Sequence, residues 1–177
     1  MIILINLPPL THKKVKILFK NGLIMHELDE FDKRILNQLQ QNNRVTAEEL
    51  GSMINLSTSA VQRRLKRLRH DKSIEADISI ISPSAVGFGI TCIVDVTLHL
   101  GNSEVIDSYK KLMFACAEVM QCYYVTGTYD FVIIVNTQDM KHYESFSKKY
   151  FMDNPGVKQF YTHVVMDKVK SGFGVNI

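Results

Sequence analysis

A strongly basic segment, residues 57–72, carries the clearest chemistry in the chain. It reads STSAVQRRLKRLRHDK and contains six Lys or Arg residues but a single acid, Asp71. Solvated helix faces usually mix the two signs of charge and use Glu–Lys pairs for local support. Cations that are concentrated without acids in their own helix favour an external polyanion, such as the phosphates of DNA.

Apolar residues inside the segment indicate how its cations are held. At 100° per residue, Val61, Leu65 and Leu68 fall within about 60° of one another, which predicts a helix with one core-facing stripe. Arg64 and Arg69 flank this stripe. The opposite, polar side collects Ser59, Gln62, Arg63, Lys66, Arg67 and His70. The pattern favours an amphipathic helix over a disordered basic tail.

Two further helices are predicted upstream. Residues 28–41 (LDEFDKRILNQLQQ) place Phe31, Ile35 and Leu39 on one stripe, with Asp29 as the N-cap. The second helix begins at Thr46, and Glu49 three residues later completes a capping box. Its predicted inner face comprises Leu50, Met53 and Ile54.

The junction between the second and third helices predicts a helix-turn-helix over about residues 46–66. This motif needs a small residue where the helices cross, a turn-former four residues later and then an inner apolar residue. Gly51, Asn55 and Val61 meet these three needs in order. Asn tolerates the left-handed conformation that ends a helix, so a tight turn is expected at Asn55.

Such a motif inserts the N-terminal end of its third helix into the major groove. The predicted DNA-binding residues are Ser57, Thr58, Ser59, Gln62, Arg63, Lys66 and Arg67. Base edges are assigned to Ser59, Gln62 and Arg63, and phosphates mainly to Thr58, Lys66 and Arg67. Ser57 is expected to cap the helix.

The second half of the chain has a different pattern of apolar residues. Alternating apolar residues and turn signals from residue 89 onward predict the order β-α-β-β-α-β, which defines a ferredoxin-like sandwich with both helices on one sheet face. The fold class is therefore α+β: an N-terminal winged helix-turn-helix domain and a C-terminal ferredoxin-like domain. Apolar or aromatic residues on both sheet faces, such as Tyr123 and Tyr124, predict at least a homodimer.

Composition and charge set the predicted boundaries. Residues 1–24 carry four Lys and no acid and are taken as an extension outside the fold; residues 25–73 form the DNA-binding domain. Residues 74–88 are either the strand of a wing or a linker, residues 89–171 form the sandwich, and residues 172–177 are a tail. All six arginines precede residue 70, whereas the back half is mildly acidic.

Other functional classes find little support in the sequence. Cys92, Cys116 and Cys122 are odd in number and lack CxxC spacing, which favours reduced core thiols in a cytoplasmic protein over disulfides or a metal site. No apolar run approaches the length of a membrane span. The sequence shows no pattern typical of a catalytic triad, of paired catalytic carboxylates or of a phosphate-binding loop. The chain is predicted to be neither an enzyme nor a cofactor protein.

Three segments resemble the Lrp/AsnC, or feast/famine, family of transcriptional regulators. They read LDEFDKRILNQLQQNNRVTAEELGSMINLSTSAVQRRLKRL, VTGTYDFVI and FYTHVVMDKVK, and the resemblance covers residues 27–171. It implies an N-terminal domain that binds double-stranded DNA. It also implies a C-terminal domain that forms dimers, often octamers, and binds an amino acid between dimers.

The resemblance extends to an effector site at the predicted hairpin. The implied effector-binding residues are Thr126, Gly127, Thr128, Asp130, His163 and Val165. Exposed N–H groups at the turn could bind a carboxylate, and Asp130 could bind an ammonium. Thr128 stands where the family usually has an acid, and His163 where it often has Tyr. These departures leave the effector, and whether it is an amino acid, open.

Two alternatives remain for the same architecture. Siroheme decarboxylases resemble this family but typically carry an Arg-Arg-Phe-Gly-Ala-like segment with a nearby His. The corresponding region here, EADISIISPSAVGFGI, has neither Arg nor His. An architectural protein that coats DNA without an effector would also use a basic helix on a multimer.

Overall fold

The computed structural model describes residues 18–20, 23–25, 27–99, 101–172 and 174–177. The chain divides into two compact units. Met1–Ser79 together with Gly172–Ile177 form the first, the helix-turn-helix unit, and Ile80–Ser171 form the second, the sheet unit.

Three helices build the helix-turn-helix unit: α1 (Glu30–Gln41), α2 (Ala47–Ile54) and α3 (Thr58–His70). Both predicted N-caps are confirmed. The Asp29 carboxylate accepts from the Asp32 N–H at 2.9 Å, and the Asp32 carboxylate accepts from the Asp29 N–H at 3.1 Å. Thr46 and Glu49 form the same reciprocal pair. These caps satisfy N–H groups that a helix start leaves without intrahelical partners.

A small apolar core joins the three helices. Its buried members are Ile35, Leu36, Leu50, Ile54, Val61 and Leu68. The predicted stripe of α3 is confirmed, since Val61 and Leu68 are buried and Leu65 packs against them. Two predicted inner residues are wrong: Met53 is largely exposed, and Phe31 is half-exposed beside Arg64. Both residues fall on the edge of their helix rather than on its inward face.

The predicted peripheral segments differ from the structure. Within the region taken as an extension, β1 (Leu18–Lys20) and β2 (Leu23–Met25) pair antiparallel in a two-stranded sheet, while residues 1–17 lie outside the described residues. No strand forms within residues 74–83, so of the two alternatives for this segment, a wing strand or a linker, the structure has the linker. The predicted tail belongs to the helix-turn-helix unit. There the Gln40 amide donates to the Val175 carbonyl at 3.1 Å, and the Asn37 amide donates to the Ile177 carbonyl at 3.1 Å.

The sheet unit has the predicted element order. After a short 3-10 turn (Ser84–Val86) come β3 (Ile90–Leu98), α4 (Ser103–Phe114), β4 (Val119–Tyr124), β5 (Phe131–Thr137), α5 (Met140–Ser147) and β6 (Val157–Val164). A π-helical turn (Lys148–Met152) extends α5. The strands form one antiparallel sheet in the order β4-β5-β3-β6. This is the predicted α/β sandwich; β6 ends at Val164, earlier than predicted.

Both helices pack on one face of this sheet. Alternate residues of β3 are buried, and they share one core cluster with side chains from α4 and α5. The opposite side, here called the outer sheet face, carries the intervening residues. In strand order these are Gln121, Tyr123, Val132, Ile134, Asn136, Thr91, Ile93, Asp95, Thr97, Gln159, Tyr161 and His163. No helix of the described chain covers this mixed apolar and polar surface.

Candidate functional site

The turn between α2 and α3 fixes where the basic helix begins. Asn55 adopts the left-handed conformation, with φ of 58°, and the Leu56 N–H donates to the Gly51 carbonyl at 2.9 Å. A Cβ on Gly51 would lie 2.5 Å from the Leu56 carbonyl oxygen. Since real Cβ atoms essentially never approach that closely, the backbone crossing requires glycine. Gly51 and Asn55 therefore have the roles that their spacing predicted.

The N-terminal end of α3 presents a polar surface. Ser57 is the N-cap, and its hydroxyl accepts from the Ala60 N–H at 3.3 Å. Among the predicted DNA-binding residues, those with exposed side chains are Ser57, Thr58, Ser59, Gln62, Arg63 and Lys66. They form one continuous side of the helix because their spacing follows the helical repeat. The predicted polar tip is thus accessible.

Three arginines of this segment have acidic partners elsewhere in the unit. Arg64 donates to Asp29 at 2.8 Å and to Asp32 at 2.7 Å. Arg67 is also bonded to Asp32. Arg69 donates through Nε to Asp77 at 2.8 Å. Although no acid inside the helix neutralises these cations, acids of α1 and of the linker do. The cationic surface is therefore smaller than the sequence suggested.

Arg67 consequently differs from the other predicted DNA contacts. Its side chain is 34% exposed, whereas the Asp32 side chain is only 1% exposed. Arg63 and Lys66 remain exposed beside it. The structure thus brings Arg63, Lys66 and Arg67 to one side of α3, with Arg67 at its border toward α1.

The ion pairs of Asp29 and Asp32 with Arg64 are here called the clamp between α1 and α3. They shift the pKa values of Asp29 and Arg64. Desolvation opposes the charge of Asp29, but hydrogen bonds from the Asp32 N–H and the Arg64 guanidinium outweigh it and lower the pKa of Asp29. Desolvation likewise opposes the charge of Arg64, yet the two carboxylates raise its pKa overall. Both groups stay charged across the physiological range.

The predicted effector residues of the hairpin lie together. Thr126, Gly127 and Thr128 are exposed at the turn between β4 and β5, and Gly127 has φ of 132°. Asp130 has a structural role: its carboxylate accepts from the Leu98 N–H at 2.8 Å, next to the register shift of β3. One carboxylate oxygen is thereby already bonded within the fold.

Of the other two predicted effector residues, His163 lies opposite the middle of β3, and Val165 lies opposite its N-terminal end. His163 is paired in register with Ile93, and the Val165 N–H donates to the Thr91 carbonyl at 2.9 Å. With about 3.3 Å of rise per strand residue, the distance from Leu98 to Thr91 is roughly 23 Å. A single chain therefore does not bring the hairpin residues and Val165 into one pocket.

A histidine–carboxylate pair on the outer sheet face escaped the sequence analysis. The His163 Nε2 lies 3.0 Å from the Asp95 Oδ2. Asp32 was missed as well, although it sits three residues after the N-cap of α1. Neither Asp95 nor Asp32 is near its partner in sequence, so only the fold places them together.

The three cysteine thiols are weak nucleophiles. Burial raises the pKa of the Cys92, Cys116 and Cys122 thiols, which keeps them protonated and weakly nucleophilic. No cluster of three metal-binding side chains occurs within the described residues. In the same part of the chain, no helix is both long and apolar enough to cross a bilayer.

Three short helices, a glycine-dependent turn and an exposed polar helix tip define a helix-turn-helix DNA-binding protein, here joined to a separate α/β unit. Residues 28–69 match the AsnC-type helix-turn-helix domain, and residues 91–175 match the Lrp/AsnC ligand-binding domain. The chain belongs to the Lrp/AsnC family of DNA-binding transcriptional regulators.

Known relatives align with this chain over most of their length. The chain is 49% identical to an uncharacterised helix-turn-helix transcriptional regulator of Sinorhizobium fredii, over 85% of this chain and 89% of the relative. It is 28% identical to the leucine-responsive regulatory protein of Escherichia coli K12, over 81% of this chain and 88% of the relative. A solved transcriptional regulator of Neisseria meningitidis, in complex with L-methionine, superposes with a TM-score of 0.79 at 25% identity, covering 85% of this chain and 97% of that one.

Proposed function

We propose that α3 reads DNA sequence with its N-terminal residues and binds the backbone with the residues that follow. The main observation behind this proposal is the exposed N-terminal end of α3. Ser59, Gln62 and Arg63 are short or planar hydrogen-bonding groups suited to base edges in the major groove. Thr58, Lys66 and Arg67 are assigned to phosphates, which position the helix without specifying sequence.

A binding-site library tests the division of labour. Gln62→Ala should cost about 1–3 kcal/mol at some base positions and little at others, because a lost base contact relaxes specificity there. Lys66→Ala is the matched control and should weaken binding uniformly across the library. An equal loss at every sequence for Gln62→Ala would show that Gln62 does not read bases.

We propose further that a small effector, an amino acid being the first candidate, binds where copies of the sheet unit meet. The supporting observation is the roughly 23 Å along β3 between the hairpin end, at Leu98, and Thr91, which binds Val165. A second copy could bring the Val165 end of one subunit to the hairpin of another. The L-methionine complex of the Neisseria regulator supports the amino-acid class.

Thermal shift against the twenty amino acids tests this effector. A ligand specific for the folded state stabilises by RT ln(1 + [L]/Kd), about 2.7 kcal/mol at a hundredfold excess over Kd. Thr128→Ala should abolish the shift and leave the melting temperature without ligand nearly unchanged, because its side chain is exposed at the hairpin. His163→Ala should abolish the shift too; because His163 lies on the outer sheet face and pairs with Asp95, its melting temperature without ligand is measured alongside. Asp130→Ala is a poor probe because it also frees the Leu98 N–H. Absence of a shift with every amino acid would rule out this effector class.

The outer sheet face is proposed to form the interface of a homodimer, with octamers as a further assembly. Ile93, Val132 and Ile134 lie at its centre, and Tyr123 and Tyr161 are half-exposed at its sides. Apolar surface of this kind gains free energy when a partner covers it.

Light scattering of charged variants tests the interface. Ile134→Glu should dissociate the assembly, since it would bury an unpaired carboxylate. Met166→Glu, at an exposed position beyond β6, is the control and should keep the wild-type mass. An unchanged mass for Ile134→Glu would place the interface elsewhere.

We propose that the protein acts in the cytoplasm as a regulator without catalytic activity. The architectural alternative differs in how DNA is covered. Footprinting should show short, phased protected sites for a sequence-specific regulator, whereas continuous spreading would favour the architectural role. Absence of a tetrapyrrole absorbance change on mixing would agree with the lack of a decarboxylase function.

A further inference from the structure

Asp32 occupies an unusual position for an acid. Its side chain is almost fully buried between α1 and α3, and its two carboxylate oxygens face different arginines. Oδ1 accepts from Arg64 at 2.7 Å, whereas Oδ2 is bonded to Arg67 and also accepts from the Asp29 N–H at 3.1 Å. A buried carboxylate with this many donors is held in one orientation, because three N–H groups bind its two oxygens.

The two arginines that share Asp32 are not equivalent. Arg64 is 19% exposed, donates to both Asp29 and Asp32 and lies 5.5 Å from the centre of the Phe31 ring. Arg67 is 34% exposed and contacts Asp32 through Nη2. A guanidinium carries five N–H groups in a planar fork. Those on Nη1 and Nε of Arg67 are the groups that an external anion could meet.

Position along α3 points Arg67 toward DNA. It follows Arg63 by four residues and Lys66 by one, so it borders the exposed cationic side of the helix. A flexible arginine loses rotamer freedom when it binds a phosphate. An arginine already fixed by a buried carboxylate has lost that freedom before DNA arrives.

We propose that Asp32 is a positioning residue for DNA binding. Its carboxylate fixes the Arg67 guanidinium so that the other N–H groups of Arg67 bind a backbone phosphate, whereas Arg64 is a strut between α1 and α3 that contacts no phosphate. The inference rests on the proposed placement of α3 on DNA. Asp29, Asp32, Arg64 and Arg67 together carry no formal net charge, so orientation of the N–H groups, and not excess charge, is what the cluster contributes.

Salt dependence separates the two arginines. A plot of the logarithm of the binding constant against the logarithm of salt concentration has a slope of about −0.9 per phosphate contact. Each contact therefore costs about 3.5-fold in affinity between 50 and 200 mM salt. On a duplex selected by the wild-type protein, Arg67→Ala should reduce this slope by about 0.9. Arg64→Ala should leave the slope unchanged, although it lowers the melting temperature.

A double-mutant cycle tests whether Asp32 acts through Arg67. Asp32→Asn keeps the shape of the side chain and should weaken DNA binding in the wild-type background. In the Arg67→Ala background the same change should cost no further affinity, because the residue it positions is gone. Arg67→Lys should keep most of the salt slope but bind more weakly, since an ammonium lacks the planar fork needed to bridge carboxylate and phosphate. All variants are compared below their melting temperatures.

Lys66→Ala distinguishes failure of this inference from failure of the proposed function. If Lys66→Ala lowers the slope but Arg67→Ala does not, α3 binds DNA and the role of Asp32 is wrong. If neither variant changes the slope, the placement of α3 on the backbone fails as well. Equal cost of Asp32→Asn in both backgrounds would overturn positioning and leave Asp32 a purely structural residue. Should Asp32→Asn not fold, the slope for Arg67→Ala alone still decides whether Arg67 meets a phosphate.

Discussion

Among the described residues, the helix-turn-helix unit encloses six buried apolar residues in its core, whereas the sheet unit encloses fifteen, several of them aromatic. The first unit supplements its core with the clamp of Asp29 and Asp32 against Arg64 and with the Arg69–Asp77 pair. In the second, ring contacts such as Phe131 with Tyr109 at 4.9 Å lie on the helix side of the sheet. Small domains bury a smaller fraction of their surface, so polar and charged contacts decide more of their stability.

The distribution of tyrosines makes the comparison measurable. All seven tyrosines lie between residues 109 and 161, inside the sheet unit. Tyrosine fluorescence and the tyrosine band of near-ultraviolet circular dichroism therefore report on the sheet unit alone. Far-ultraviolet circular dichroism includes α1, α2 and α3, so the two signals together resolve which unit unfolds first.

Truncation of the aromatic core should give the largest effect. Phe131→Ala removes a fully buried ring from β5 and should lower the free energy of unfolding by about 3–5 kcal/mol, through lost transfer energy and a residual cavity. Urea unfolding followed by tyrosine fluorescence measures it. Phe114→Ala is the matched control: this ring is 95% exposed, and the change should stay within about 0.5 kcal/mol. Similar losses for both variants would contradict the assignment of the core.

The second largest effect is expected from crowding where α2 meets α3. Gly51→Ala forces a shift of the turn at Leu56 and should cost about 1–3 kcal/mol in the helix-turn-helix unit. Far-ultraviolet melting should show an earlier transition, while the tyrosine signal should keep its wild-type midpoint. DNA affinity should fall too, because the start of α3 moves. Ser52→Ala, the neighbouring exposed position, should be nearly neutral in both assays.

Loss of a cap should have an intermediate effect. Thr46→Ala removes the hydroxyl that accepts from the Glu49 N–H and should cost about 1 kcal/mol in urea unfolding. Thr46→Ser keeps the hydroxyl and should retain most of the stability. An equal loss in both variants would mean that the Thr46 methyl group, and not the cap, carries the effect.

Acid should remove the stabilisation that the Asp77–Arg69 ion pair gives the helix-turn-helix unit, which is the smallest of the expected effects. The Arg69 guanidinium lowers the pKa of Asp77, so this ion pair stabilises the fold above the ordinary carboxyl range and is lost as pH falls through the depressed pKa. The contribution of such an exposed pair is about 0.2–1 kcal/mol. Asp77→Asn should cost this amount near neutral pH and show a smaller loss of stability on acidification. If wild type and variant lose stability in parallel as the pH falls, Asp77 is not the responsible group.

Local and distant features differ in how well the sequence predicts them. The N-cap at Asp29, the capping box at Thr46 and the turn at Asn55 were predictable because the interacting atoms lie within a few residues. The Asp32–Arg64 pair spans 32 residues and depends on how α1 crosses α3. The Asp95–His163 pair depends on strand register. For the effector site, the hairpin residues were predictable, but their separation from Val165 along β3 became visible only in the folded sheet.

The contact between Gln40 and Val175 also bears on the order of folding during synthesis. Ribosomes release a chain from its N-terminus, and domains generally fold as units as they emerge. Here α1 is made early, while the segment that hydrogen-bonds to it is made only after the whole sheet unit. The DNA-binding unit can therefore acquire this contact only once the sheet unit has been synthesised.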